Sequence, residues 1–218
     1  GGWLALLGGQ PRRSLGRARS GGAVVNVFFT VDPGLWVSGL AMFARSEGAW
    51  VLSGARIVAP ARSLRHNAPR TMALALARAA QRLSGNHEAD SAFADAPDVS
   101  AARTALWVVE HPVLRGTRRS THADVRLLQE VSDHLAGLSG VREKVTPEAW
   151  KGQVPKAAHH GRILERLALG ELKHLAPFRA RPRSTQKNHP NLKEALDAVG
   201  VGLWRCGRMQ GTKRPGAL

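Results

Sequence analysis

The strongest constraint in the chain is the stretch Val24–Phe43. An apolar run from Val24 to Val31 ends on a carboxylate, Asp32. Pro33 and Gly34 turn the chain, and a second alternating run follows from Leu35 to Phe43. Val, Phe and Thr at this density favour a buried strand, and Pro-Gly is a strong turn signal. The stretch reads as a hairpin with one acid at the tip of a buried strand, where a rigid sheet can hold it. Alone, Asp-Pro-Gly is no more than a good turn sequence. Its interest comes from acids at comparable places further along.

After the hairpin, Glu47-Gly48 turns the chain into a third antiparallel strand, Trp50–Val58. Arg70–Leu83 carries Met72, Leu76, Ala79 and Leu83 at helical spacing and is closed by Gly85. Asn86–Ser100 holds Glu88, Asp90, Asp95 and Asp98 without a Lys or Arg and reads as a solvated acidic loop. Thr104–Val109 is a short β-rich run that again ends on an acid, Glu110, before His111-Pro112 breaks it. Thr121 opens a helix to about Leu138, with Leu128, Val131 and Leu135 on one face; Val141–Val145 is a further strand. A helix from about Pro155 to Leu169 follows, and a last one from Pro190–Asn191 to about Arg208.

On that last helix Leu192, Leu196, Val199 and Leu203 form the main apolar stripe. Glu194 and Asp197 lie three residues apart, hence side by side, and point away from the stripe towards Val201 and Trp204. That face is either solvated or a second covered side with the acids at a packed edge. Three antiparallel strands feeding an α/β half predict a mixed sheet with helices on both faces. One domain over residues 23–210 is expected, flanked by a basic, flexible arm over 1–22 and a tail over 211–218.

Charge sets the class of partner. The 218 residues include 32 Lys+Arg against 16 Asp+Glu, a formal net charge of +16, and the sequence pI is about 11.6. Such a field points to a polyanion, nucleic acid before an anionic membrane. No apolar run is long enough to span a bilayer. A single cysteine, Cys206, excludes an internal disulfide and a cysteine-based zinc site and suits reducing surroundings. The arm has too short an apolar segment for a secretory signal. Its arginines would suit phosphate binding or a transit-like segment, so organellar import stays open. Tyr is absent and Phe scarce beside six Trp, which argues against an aromatic stacking platform. The Trp residues read as core or interface, with Trp36 close enough to Asp32 to border a site. The histidines, His159 and His160 among them, lack a metal-binding spacing such as HExxH and read as core or surface. Cys206 reads as packing.

Four acids stand out: Asp32 and Glu110 ending two strands, Glu194 and Asp197 on the last helix. Were the two strands parallel neighbours, their ends would share one rim of the sheet, and a helix packed there would add its pair. Acids brought together repel unless cations fill the gap. Hard oxygen ligands suit Mg²⁺ or Mn²⁺, and two such ions would hold the attacking water and the leaving oxygen of a phosphoryl displacement. An acidic pocket within a basic protein is what hydrolysis of a nucleic-acid phosphodiester requires.

VDPGLWVSGLAMF resembles the opening hairpin of RuvC-like Holliday-junction resolvases, members of the RNase H-like (retroviral integrase) superfamily. WVVEHP resembles that family's second acidic strand, VTPEAWKGQVPK its lysine-bearing segment and EALDAVGVGLWRCGR its closing acidic helix. The likeness runs from Val24 to Arg208 in the family's order and is closest to phage or other divergent members. It implies an RNase H-like fold and a crossover-junction endonuclease acting on branched DNA: four-way junctions, with flaps left open as a further substrate. It implies metal ligation by Asp32, Glu110 and Asp197, with Glu194 where the family more often has Asp. Lys151 and Lys156 match lysines that meet the scissile region, at a shorter spacing that assigns neither as a base. A homodimer and a cytoplasmic, nucleoid-associated setting in a bacterial or phage-infected cell follow from the same likeness. Backbone binding would fall to Arg115, Arg118, Arg119, Lys151, Lys156, Arg179, Arg181, Arg183 and Lys187. Two rivals remain: a non-catalytic nucleic-acid-binding protein on the same scaffold, and an actin-like ATPase. The second needs another phosphate-binding hairpin, which the chain does not offer.

Overall fold

The computed structural model describes residues 26–60, 67–85, 105–113, 121–138, 141–152, 154–178 and 192–210. Five strands, β1 (Val27–Asp32), β2 (Ser38–Ser46), β3 (Ala49–Val58), β4 (Leu106–Glu110) and β5 (Val141–Val145), form one sheet in the order β3-β2-β1-β4-β5. β1, β2 and β3 pair antiparallel, whereas β1–β4 and β4–β5 are parallel. The helices are α1 (Ala68–Leu83), α2 (His122–Leu138), α3 (Pro147–Lys151), α4 (Lys156–Arg166), α5 (Leu169–Leu172) and α6 (Leu192–Arg205), with a 3-10 turn over Lys173–Phe178. This is the mixed α/β sheet with helices on both faces that the sequence predicts.

The period of two along each strand builds two separate cores. Phe29, Val31, Trp107 and Val109 face α1 and α2, where Met72, Leu76, Val131 and Leu135 meet them. Phe28, Leu106 and Val108 face α6 and its neighbours Trp150 and Ile163. Each such side chain contributes about 1.5–3 kcal/mol by burial. Thr30 shares the second face, and its buried hydroxyl donates to the Ala198 carbonyl at 2.7 Å, tying the middle of β1 to α6.

Several boundaries differ from expectation. The second strand begins at Ser38 rather than Leu35, because Ser38 Oγ accepts from the Gly34 N–H at 2.9 Å and donates to the Gly34 carbonyl at 3.0 Å. That bracket keeps Pro33–Val37 as a loop. The helix expected to run from Pro155 to Leu169 ends at Arg166: Glu171 reaches back to the Ala168 N–H and across to the Leu52 N–H, both at 2.7 Å. Arg208 grips the same carboxylate with two nitrogens, at 2.6 and 2.7 Å, from a turn that ends α6 before that residue. On the last helix the second covered side is the alternative that holds, in addition to the main apolar stripe. Every residue from Ala195 to Arg205 is buried, since the helix lies between the sheet and α3–α4. Arg205 is no exception, its side chain being paired with Glu143 of β5 at 2.7 Å. Cys206 packs beside this core, as expected, and burial pushes its thiol up to about 12.

Candidate metal and phosphodiester site

The four acids come from three elements that the fold brings to one rim. β1 and β4 are parallel neighbours with Val31 opposite Val109, so Asp32 and Glu110 end adjacent strands. Alternation from Phe28 and Thr30 puts Asp32 on the α6 face, and alternation from Leu106 and Val108 does the same for Glu110. Gly39 pairs across the hairpin with Asp32. A Cβ on Gly39 would fall 1.9 Å from the Glu194 carbonyl oxygen, so the start of α6 lies directly on the strand opposite Asp32. Only glycine permits that approach, and it is what brings the helical pair to the strand acids.

The electrostatics report the convergence. Loss of hydration pushes the Asp32 carboxyl well above the ordinary carboxylate range, and the charges of Glu110 and Asp197 push it further. Lys151 and Lys156 pull the other way without prevailing. Glu110, buried at the end of β4, is also raised, by burial first and by Asp197; Lys151 and a hydrogen bond from Trp150 oppose the rise. Asp197 is buried too, yet its pKa is lowered. Hydrogen bonds from His160 and Lys156, with the charges of Lys156 and Lys151, outweigh its loss of hydration.

Two lysines stand among the acids. Lys156 Nζ lies 2.5 Å from Asp197 Oδ2, and Lys151 Nζ lies 3.5 Å from Glu110 Oε2. The Lys156 ammonium is raised although burial alone would lower it, through Asp197 foremost and through Asp32 and Glu194 beyond. Glu194 meets Lys193 at 3.5 Å through Oε1, whereas its Oε2 is buried with no hydrogen-bond partner.

His160 joins this group without a sequence signal for a ligand. Its Nε2 lies 2.9 Å from Asp197 Oδ1, so Lys156 and His160, four apart on α4, each take one oxygen of the same carboxylate. The spacing was readable; that the pair faces an acid on another helix was not. His159 is core, as expected, and burial lowers its imidazole to about 4. Trp36 is half-exposed on the loop that follows Asp32. Of the basic residues expected to bind backbones, Lys151 and Lys156 lie at the site, while Arg115, Arg118, Arg119, Arg179, Arg181, Arg183 and Lys187 lie outside the described residues. So do the Asn86–Ser100 loop, the arm over 1–22 and the tail over 211–218.

Similar solved structures include Thermus thermophilus RuvC in complex with a Holliday-junction substrate, at 16% identity and a TM-score of 0.48, covering 84% of this chain and 98% of that one. A second Thermus thermophilus RuvC structure matches at 16% identity and TM-score 0.44 over the same shares, 84% and 98%. The fowlpox virus Holliday junction resolvase matches at 12% identity and TM-score 0.42, covering 81% of this chain and 94% of that one. At these identities the likeness is one of fold. No family model and no curated protein sequence matches the chain.

The donor set suits a hard divalent cation. Asp32 is held towards its protonated form by burial first and then by the charges of Glu110 and Asp197, and Glu194 has a buried oxygen without a partner. A cation would relieve both conditions. Among the described residues, no three His, Cys, Asp or Glu side chains already close into a cage able to hold an ion. The two ammonium groups supply positive charge there instead. No helix among the described residues is long and apolar enough to cross a membrane.

Proposed function

We propose that this protein is a divalent-metal-dependent endonuclease hydrolysing phosphodiester bonds in branched DNA, of the Holliday-junction resolvase type. The observation that carries the reading is the meeting of far-apart segments at one rim: Asp32 and Glu110 end adjacent parallel strands, the helix that bears Glu194 and Asp197 starts directly on Gly39 opposite Asp32, and two lysines are paired with the acids there. Asp32, Glu110, Asp197 and Glu194 would hold Mg²⁺ or Mn²⁺, two ions per site. When bound, the ions would supply an activated water and charge stabilisation for the departing 3′ oxygen. Lys151 and Lys156, displaced from the carboxylates, would turn to the phosphate that enters between them. The excess of basic residues would bind backbones by shape rather than sequence, with affinity falling steeply as salt rises. A homodimer would set two such sites on two strands of a junction.

The test is nicking of a four-way junction with Mg²⁺ or Mn²⁺. Wild type should cut, and Asp32→Asn should lose cleavage by about 10³-fold or more, the several kcal/mol that charge stabilisation by a metal supplies, while still binding the junction. A fully active Asp32→Asn variant would remove the proposal. Acids neutralised by internal lysines favour a second reading, a non-catalytic binding protein on the same scaffold. It predicts junction binding indifferent to divalent ions and no nicking.

A further inference from the structure

Trp150 is fully buried in α3, one residue before Lys151. Its ring lies against α6 where that helix has Gly200: a Cβ there would come within 2.5 Å of the indole Cζ3 and 2.7 Å of Ile163 Cδ1. On another side the imidazole of His159 meets the ring edge-on, with centroids 4.7 Å apart. The Lys151 ammonium lies 4.8 Å from the ring centroid. An indole enclosed this way has one rotamer to adopt, and its N–H must find a partner within the protein. That partner is a site carboxylate: Nε1 donates to Glu110 Oε2 at 2.7 Å.

We propose that Trp150 is a positioning residue for Glu110, fixing the rotation of its carboxylate and committing Oε2, so that Glu110 offers a cation one oxygen, Oε1. Glutamate carries three side-chain torsions, and its last one is broad. Lys151 approaches the same Oε2 from 3.5 Å on a flexible stem, which neutralises the oxygen but does not orient it. The indole N–H, set by packing against α6, α4 and His159, is the rigid contact. Partners of this kind, which touch a ligand side chain rather than the metal, alter metal affinity about 10–100-fold. The assignment rests on the metal-dependent reading above.

The experiment compares full-length wild type with Trp150→Phe, which keeps a large ring and removes the donor. Mn²⁺ binding is measured by electron paramagnetic resonance well below the unfolding temperature, beside thermal unfolding of both proteins. The expected result is a folded variant whose Mn²⁺ affinity is weaker by about 10–100-fold. A purely structural Trp150 would lower the unfolding temperature and leave the affinity of the folded protein unchanged, and that outcome overturns the assignment. Should Trp150→Phe fail to fold, benzothienylalanine at position 150, with sulfur in place of N–H, carries the same comparison and the same two outcomes. Wild type that binds no Mn²⁺ sinks the metal-dependent reading and this assignment together. Wild type that binds Mn²⁺ beside a variant that binds it equally well sinks the role of Trp150 alone.

Discussion

On the face of the sheet covered by α1 and α2, β1 and β4 present Phe29, Val31, Trp107 and Val109, and the helices answer with Met72, Leu76, Val131 and Leu135. On the face covered by α6, the alternate residues of the same two strands run from Phe28 through Thr30 to Asp32 and from Leu106 through Val108 to Glu110. The first face stays apolar to its end. The second grows more polar towards the rim and finishes on acids whose charges oppose one another. Folding is therefore driven across the whole of one face and part of the other. The rim at the carboxyl ends of β1 and β4 is where the fold tolerates unfavourable charge, and unfavourable charge in a dry setting is what a cation can exploit.

Removing a large side chain from the apolar face should break this contrast most strongly. Trp107→Ala is expected to cost about 3–5 kcal/mol of stability, measured by chemical denaturation, while the folded fraction keeps its Mn²⁺ affinity. On the other face, Asp197→Asn removes a buried charge from between Lys156 and His160. Breaking a fully buried pair costs about 3–5 kcal/mol, but Lys156 is more than half exposed, so about 1–2 kcal/mol is expected. The lowered pKa of Asp197 gives this contribution its pH dependence. It is present above the ordinary Asp value and is lost as pH falls through the lower folded value.

The smallest effect has the opposite sign. The raised pKa of Asp32 means that the folded state holds a proton the unfolded chain has released, so stability falls as pH rises between the ordinary and the raised value. Without divalent ions and above that window, Asp32→Asn should therefore be the more stable protein, by about 0.5–2 kcal/mol, the range common for stabilising single replacements. Added Mg²⁺ should reverse the order by stabilising wild type alone, read as paired thermal melts across pH. A destabilised Asp32→Asn in metal-free buffer would contradict the electrostatic account of this rim.

Much of the architecture was legible because strand periodicity and turn chemistry are local. VFFTVDPG and LWVVEHP each announce a strand that ends on an acid, and Glu47-Gly48 closes its hairpin with both residues at positive φ. The face of the last helix was harder to read. Ala195, Ala198 and Gly200 carry too little side chain to mark an apolar face, yet their small size is what allows α6 to be buried all round. The partners of the acids were least legible. His160 and Trp150 act through segments that fold against α6 and β4, and pairings at sequence separations of 37 and 40 leave no local periodic trace. Lys151 and Lys156, which the sequence suggests as backbone-binding residues, each pair with a site carboxylate across the fold, and no local pattern announces those pairings.

The most direct test is anomalous scattering from crystals of the full chain soaked in Mn²⁺. The account predicts manganese density bounded by the carboxylates of Asp32, Glu110 and Asp197, with Glu194 beside it and Lys156 withdrawn from Asp197. Crystals saturated with Mn²⁺ that show no manganese at this rim, with Lys156 still seated on Asp197, would contradict it.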